Sequence, residues 1–366
     1  MKILITGNMG YVGPSVVQRL RQSYPKATLV GLDTGYFAHC LTNADILPEC
    51  RVDMQYFSDI RWLRKEPIND DTDAVVHLAA ISNDPIGNLF EEVTYDINHR
   101  ASVELARDAK KNGVKAFVFA SSCSMYGLAD DRPRKETSPL NPLTAYAKSK
   151  VRTEIDLEKL ADKNFKVTCL RFSTACGMSE RLRLDLVVNY FVACAVTSKN
   201  ITILSDGTPW RPLIHLKDMA RAIDWAIERD REQGGDFLAV NVGSSAWNFQ
   251  VKQLADTVAK VIPDVSVSVN HKAQPDSRSY RVDFSLFEEL APRHQPQVDL
   301  LTAVHELKTG LEAMGFADSN FRKSQYMRLE VLRRLREQGL LDQKLAWTCR
   351  EEANLRHTSD RYMIVP

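Results

Sequence analysis

Net charge is almost absent from this chain. Its 48 Lys and Arg against 47 Asp and Glu leave +1 over 366 residues, so there is no electrostatic case for a nucleic acid or an anionic membrane as partner. Paired cysteines at C-x-x-C spacing are missing too. The seven cysteines (Cys40, Cys50, Cys123, Cys169, Cys176, Cys194 and Cys349) are odd in number and scattered. Neither a disulfide framework nor a zinc knuckle is indicated, no metal is expected, and a reduced cytoplasmic compartment is. No apolar run approaches the roughly 18 residues of a membrane span. The amino terminus enters the first apolar run directly, which leaves no room for a signal peptide. Internal repeats and low-complexity segments are lacking as well. What is present, 44% hydrophobic and 26% charged residues, suits a large core and a chain long enough for two lobes.

The opening run KILITGNMGYVG carries the first positive signal. Ile3 to Ile5 reads as a buried strand, and Gly7, Gly10 and Gly13 form a G-x-x-G-x-x-G turn at its end. Such glycines allow a tight turn and close backbone approach to a pyrophosphate seated on the following helix. A second strand, Thr28 to Leu32, ends at Asp33. A carboxylate there accepts both ribose hydroxyls and repels a 2′-phosphate, and no Arg follows directly, so the cofactor expected is NAD rather than NADP.

Strands alternate with amphipathic helices through the first half, the pattern of a doubly wound parallel α/β sheet of Rossmann type. Further strands are expected at Asp73 to Leu78, Ala116 to Ala120 and Lys166 to Leu170, and long helices at about Leu89 to Asn112 and Ala145 to Lys163. Ligands bind outside the carboxyl ends of such strands. The candidates are therefore Asp59 and Ile60, Ala79 to Ser82, Ser121 to Ser124, and Phe172 to Thr174. Past Gly177 the alternation fades into a smaller, discontinuous α/β substrate lobe. The expected division is 1–177, with returning segments about 212–243, for the cofactor half; 178–211 and 244–330 for the lobe; and 331–366 for a helical extension and tail. Arg181, Arg183, Arg211, Arg278 and Arg281 could reach a diphosphate; solvated surface arginines are the alternative. Phe172, Ser173, Asn189 and Tyr190 either shape the substrate pocket or belong to the core.

Tyr146 and Lys150, four apart in TAYAKSK, share one face of a helix. A phenol with an unperturbed pKa of about 10 becomes usable near neutral pH when a fixed cation stands beside it. The spacing alone is also met by a half-buried Tyr and a solvated Lys; the upstream cofactor signature favours a proton-transfer site.

TGNMGYVG, Asp33, SDI, HLAA, SSCSMYG and YAKSK, in this order, resemble the extended short-chain dehydrogenase/reductase family, in particular its nucleotide-sugar epimerases and dehydratases. The resemblance spans roughly residues 1–285. It implies that Gly7, Gly10 and Gly13, with Met9, Tyr11 and Val12, hold the pyrophosphate of NAD, that Asp33 binds the adenosine ribose, and that Asp59 and Ile60 bind the adenine. Leu78, Ala79, Ala80 and Ser121 would line the cofactor, Asn98 would be structural or near the site, and Lys150 would bind the nicotinamide ribose. Tyr146 would be the acid/base, with Ser122 on the same substrate oxygen. Ser82, Ser122, Cys123, Ser124, Thr174, Asn189, Arg211, Asp276 and Arg278 would meet a nucleoside-diphosphate sugar. It also implies a homodimer through a helix bundle.

Three departures narrow the activity. Where the resembling 4,6-dehydratases carry Thr-Asp-Glu, this chain has Ser122, Cys123 and Ser124, leaving no carboxylate there for elimination. Where UDP-galactose 4-epimerases read Arg-Pro-Gly-Asp, it has Ala273, Gln274, Pro275 and Asp276, which puts UDP in doubt, and Thr174 replaces the usual Asn. An epimerase is expected. The alternatives are a 4-ketoreductase, a dehydratase, or a dinucleotide-sensing regulator, which typically has lost the Tyr or Lys. Cys123 and Cys176 are expected to serve packing.

Overall fold

A computed structural model describes residues 1–63, 67–69, 71–130, 132–270 and 278–348. The strands are β1 (Lys2–Thr6), β2 (Thr28–Asp33), β3 (Met54–Phe57), β4 (Ala74–His77), β5 (Ala116–Ser122), β6 (Lys166–Phe172), β7 (Thr174–Cys176), β8 (Asn200–Ile203), β9 (Trp210–His215), β10 (Phe237–Val242), β11 (Asn248–Gln250) and β12 (Ser266–Val269). Seven of them form one sheet in the order β10-β6-β5-β4-β1-β2-β3, and every pairing in it is parallel. Residues such as Ile3, Leu4, Ile5, Val75 and Val76 are fully buried, because helices cover both faces of a parallel sheet and its central strands become continuous apolar runs.

Register aligns the carboxyl ends. Thr6 pairs with both Leu32 and His77, and Ser122 pairs with Phe172. The chain leaves β3 at one edge and returns as β4 on the other side of β1, the reversal at which open α/β sheets form a ligand crevice.

The helices are α1 (Gly13–Ser23), α2 (Asp84–Leu89), α3 (Glu91–Tyr95), α4 (Ser102–Lys111), α5 (Ala145–Glu158), α6 (Val187–Ser198), α7 (Leu216–Glu228), α8 (Val251–Val261), α9 (Ser285–Leu290), α10 (Leu300–Ala313) and α11 (Arg328–Glu337). The helix expected over about Leu89 to Asn112 runs from Glu91 to Lys111 without leaving helical geometry. Phe90 leaves helical geometry between α2 and α3, and a π turn spans Asp96–Ala101 before α4. Asn98 in that turn accepts from Ile81 N (2.7 Å) and donates to Ile81 O (2.9 Å), so it ties the loop after β4 to the helix layer. The helix from Ala145 ends at Glu158 rather than Lys163, short of a tight Asp162–Phe165 turn.

β7, β9 and β11 form a small sheet, and β8 pairs with β12. With α6, α8 and α10 they make the lobe above the strand ends, sharing one apolar core with β1 and α1. The carboxyl-terminal segment goes elsewhere. Val331, Leu332, Leu335, Leu341 and Leu345 are buried with Tyr36, Ile60, Ile86 and Phe90, in the core on the other face of the main sheet. Among the described residues no helix is long and apolar enough to cross a membrane.

Candidate active site

One cavity of ≈ 730 Å³ lies over the carboxyl ends of the main strands and is lined also by residues of the 183–187 segment and by Met327, Arg328 and Leu332. Gly7, Gly10, Tyr11 and Val12 line it. Gly7 has φ +74°, and a Cβ there would stand 2.6 Å from Ala79 N; only glycine lets β1 turn this close to the loop after β4. Gly13 and Met9 do not line the cavity. A Cβ on Gly13 would fall 1.9 Å from Asn8 O, so this glycine closes the turn onto itself. Met9 instead donates its N–H to Asp33 Oδ2 at 3.1 Å.

Asp33 also accepts from Gly35 N at 2.8 Å, and burial pushes its carboxyl up despite these two bonds. It faces the cavity with Thr34, Tyr36, Asp59 and Ile60. Asp59 is paired with Arg61 at 2.6 Å. Leu78, Ala79, Ala80 and Ser82 complete that wall.

At the other end stand Ser121, Ser122, Ser124, Tyr146 and Lys150. The Thr144 side chain caps α5 by accepting from Ala147 N, which sets Tyr146 in the first turn and Lys150 one turn on. Lys150 is buried, donates to Ala120 O at 2.7 Å, and lies 5.7 Å from the centre of the Tyr146 ring. Desolvation draws its ammonium down to about 7, partly opposed by Glu154. The phenol of Tyr146 is pushed up to about 12 by burial and by Asp84, against a hydrogen bond from Ser122 and the charge of Arg183. Arg183 is a cation that lowers the phenol, while Lys150, expected to act on it, has its own charge disfavoured by burial.

The other expected contacts divide. Ser122 Oγ accepts from Ser124 N at 3.1 Å, while Ser124 Oγ is buried without a partner and borders the cavity. Ser121 Oγ is spent on Glu154 at 2.5 Å. Thr174, Phe172, Ser173, Tyr190, Arg183, Arg211 and Arg278 line the space. Cys123 does not: its thiol bonds Arg171 O at 3.0 Å, and burial raises its pKa. Cys176 is likewise buried away from the cavity. Asn189 does not line the cavity, and its amide is used inside the protein by Gly177 N (3.2 Å), Tyr11 OH (2.8 Å) and Arg183 O (2.9 Å). Arg181 is buried against Glu49 at 2.9 Å, and Arg281 stacks on Trp210. Asp276 lies outside the described residues.

Three residues escaped sequence reasoning. Asp84 borders the cavity, accepts from Thr144 Oγ1 at 2.7 Å and pairs with Arg278 at 2.5 Å. A carboxylate thus stands near Tyr146 although none follows β5. The Asn83-Asp84-Pro85 run, a helix-start signal, could have marked it. Asp185 holds Arg183 at 2.5 Å. Arg328 comes from the far end of the chain, with no local motif to announce it.

The crevice fits a dinucleotide and a second polar ligand: a turn whose glycines leave no room for a Cβ, an acid at the end of β2, and unpartnered polar atoms on Ser124 and Arg328. Residues 3–243 match the family described as NAD dependent epimerase/dehydratase. A UDP-glucose 4-epimerase of Streptococcus mutans is 30% identical over 299 residues, covering 76% of this chain and 87% of that protein. The structure of a Thermotoga maritima UDP-glucose 4-epimerase with UDP-glucose superposes with a TM-score of 0.73 at 24% identity, covering 86% of this chain and 99% of that one. An NAD-dependent NDP-hexosamine 5,6-dehydratase of tunicamycin biosynthesis gives 0.73 at 23% identity, covering 87% and 99%.

Proposed function

The chain belongs to the NAD dependent epimerase/dehydratase family, and on that premise we propose that it is an NAD-dependent epimerase of a nucleoside-diphosphate sugar. The observation that carries the reading is the cluster of Tyr146, Ser122 and buried Lys150 lining the same crevice as Asp33. NAD, when bound, supplies the hydride acceptor and donor. Tyr146 takes the proton of a sugar hydroxyl as the carbon beneath is oxidised, and gives it back after the keto-sugar has turned. Ser122 hydrogen-bonds the same oxygen, where negative charge grows, so its contact strengthens in the transition state. Lys150, held on the Ala120 carbonyl, presents its remaining N–H groups to the nicotinamide ribose. Arg211 and Arg278 serve the substrate's diphosphate.

Elimination needs an acid free to protonate a leaving hydroxyl. The position after Ser122 is a cysteine turned away from the cavity, and both Asp84 oxygens are engaged by Thr144 and Arg278. These features favour epimerisation over dehydration. We extend the reading to a homodimer, supported by Ile155 lying half exposed on α5, and to the cytoplasm, supported by six free thiols among the described residues. The test is to identify the dinucleotide released on denaturing fresh protein, and to incubate the native enzyme with UDP-, GDP-, CDP- and dTDP-sugars without added cofactor. A same-mass isomer is expected. A product lighter by water, or one that needs added NAD(P)H, overturns the epimerase in favour of a dehydratase or a reductase.

A further inference from the structure

Arg328 opens α11 and brings the carboxyl-terminal segment to the cleft. It is 3% exposed and borders the same cavity as the glycine turn. Its Nη2 donates to Arg181 O at 2.6 Å, and its guanidinium lies 4.3 Å from the centre of the Phe37 ring. Nη1 is buried and has no hydrogen-bond partner.

No carboxylate is paired with this guanidinium among the described residues. The acid whose charge it feels, Asp185, is already gripped by Arg183 through Nε (2.5 Å) and Nη2 (3.0 Å), and Arg183 itself repels it. The nearby Cys40 thiol is raised by burial and so stays neutral at working pH. Desolvation lowers Arg328 only to about 10, which leaves it charged. A buried cation with an unused donor and no counter-ion is unfavourable unless an anion from outside the chain completes it.

Position identifies the anion. Phe37 lies four residues beyond Asp33 on the loop leaving β2, at the adenosine end of the crevice. Arg183 is felt electrostatically by both Arg328 and Tyr146, which puts it toward the reacting end. Between the adenosine and the reacting nicotinamide a dinucleotide carries its diphosphate, and the glycine turn and Arg328 border the same crevice.

We propose that Arg328 binds the diphosphate of NAD from the roof of the cleft, so that the cofactor is held between main-chain amides of the glycine turn and a guanidinium from the carboxyl-terminal segment. The inference rests on the NAD reading above. α11 packs through Val331, Leu332 and Leu335 into the core with Tyr36, Ile60, Ile86 and Phe90, so the segment that donates the charge is fixed by apolar packing beside the cleft.

The test is calorimetric titration of the full-length protein and its Arg328→Gln and Arg328→Lys variants with NAD, ADP, UDP and adenosine, alongside the KM for the nucleotide sugar. A charge-assisted hydrogen bond corresponds to about 10- to 100-fold in affinity. Arg328→Gln should weaken NAD and ADP by that factor, leave adenosine within about twofold because it lacks the phosphates, and Arg328→Lys should recover part of the loss and fold even if the Gln variant does not. Unchanged NAD and ADP affinity overturns the proposal. So does an equal loss for adenosine, which would mean general loosening, or a loss confined to UDP and the nucleotide-sugar KM, which would assign the guanidinium to the substrate's diphosphate. Unmodified protein that binds no dinucleotide would sink the NAD reading itself, and the inference with it.

Discussion

The floor of the cleft offers a ligand main-chain groups, hydroxyls and one lysine, whereas the roof offers arginines. On the floor, the glycine turn, the ends of β4 and β5, and the first turns of α5 come from the first 150 residues and lie against one another through the register of parallel strands. The roof is assembled from residues 183–187 and 327–332, which are far apart in the chain. The floor's cation, Lys150, is brought by burial to about 7 and can change charge near neutrality. The roof's Arg328 stays charged. Proton chemistry therefore belongs to the floor, and fixed positive charge to the roof.

That division breaks most sharply with Tyr146→Phe. Loss of a positioned acid/base should cut turnover by about 10²- to 10⁴-fold while bound dinucleotide and the melting temperature stay close to those of the parent; full retained activity would remove the mechanism. Next in size is Leu332→Ala on the roof. Leu332 is fully buried, and a large-to-small change in such a core costs roughly 2–5 kcal/mol, measurable by urea denaturation, with weaker NAD retention but an unaltered pH–rate profile. Gly7→Ala on the floor forces φ +74° on a residue with a Cβ and drives that atom onto Ala79 N. A left-handed conformation alone costs about 1–2 kcal/mol, so stability should fall by at least that, and NAD binding with it. A floor variant that left binding intact would shift the burden of cofactor recognition to the roof.

The smallest effect is a pH dependence. The folded-state pKa of Lys150 lies at about 7, below its ordinary 10.5. Between those values the unfolded chain binds the extra proton, so stability rises with pH across that window, and the penalty of burying the ammonium is fully present at and below pH 7. Lys150→Met should therefore raise the melting temperature most at pH 6–7 and least toward pH 10, read by thermal melts across that range. Arg328 variants should show no such slope below pH 10.

The same division explains what could be read from the residues. Gly7, Asp33, Tyr146 and Lys150 act through local turns, strand ends and helix spacing, and local rules place all four on the cavity. The central strands were legible for the same reason, since burial on both faces leaves continuous apolar runs. The π turn within the helix after β4 was not, because periodicity does not mark it; Asn98 in that turn bonds Ile81 across the fold. Asn189, which the sequence left between pocket and core, spends its amide bracing Tyr11 and Arg183. Cys123 follows Ser122 in sequence but turns away into the 3-10 turn after β5, where its thiol bonds Arg171 O. Arg328 and Leu332 reach the cleft only through the folding of the whole chain, which no spacing rule carries.

The central claim is that one hydride leaves the sugar and returns to it within this cleft. The most direct test is to give the native enzyme, without added dinucleotide, a nucleotide sugar deuterated at every ring carbon and to follow the product by mass and NMR. The account predicts an inverted sugar of unchanged mass that keeps all its deuterium. Deuterium lost to solvent, loss of water, or dependence on added NAD(P)H would contradict it.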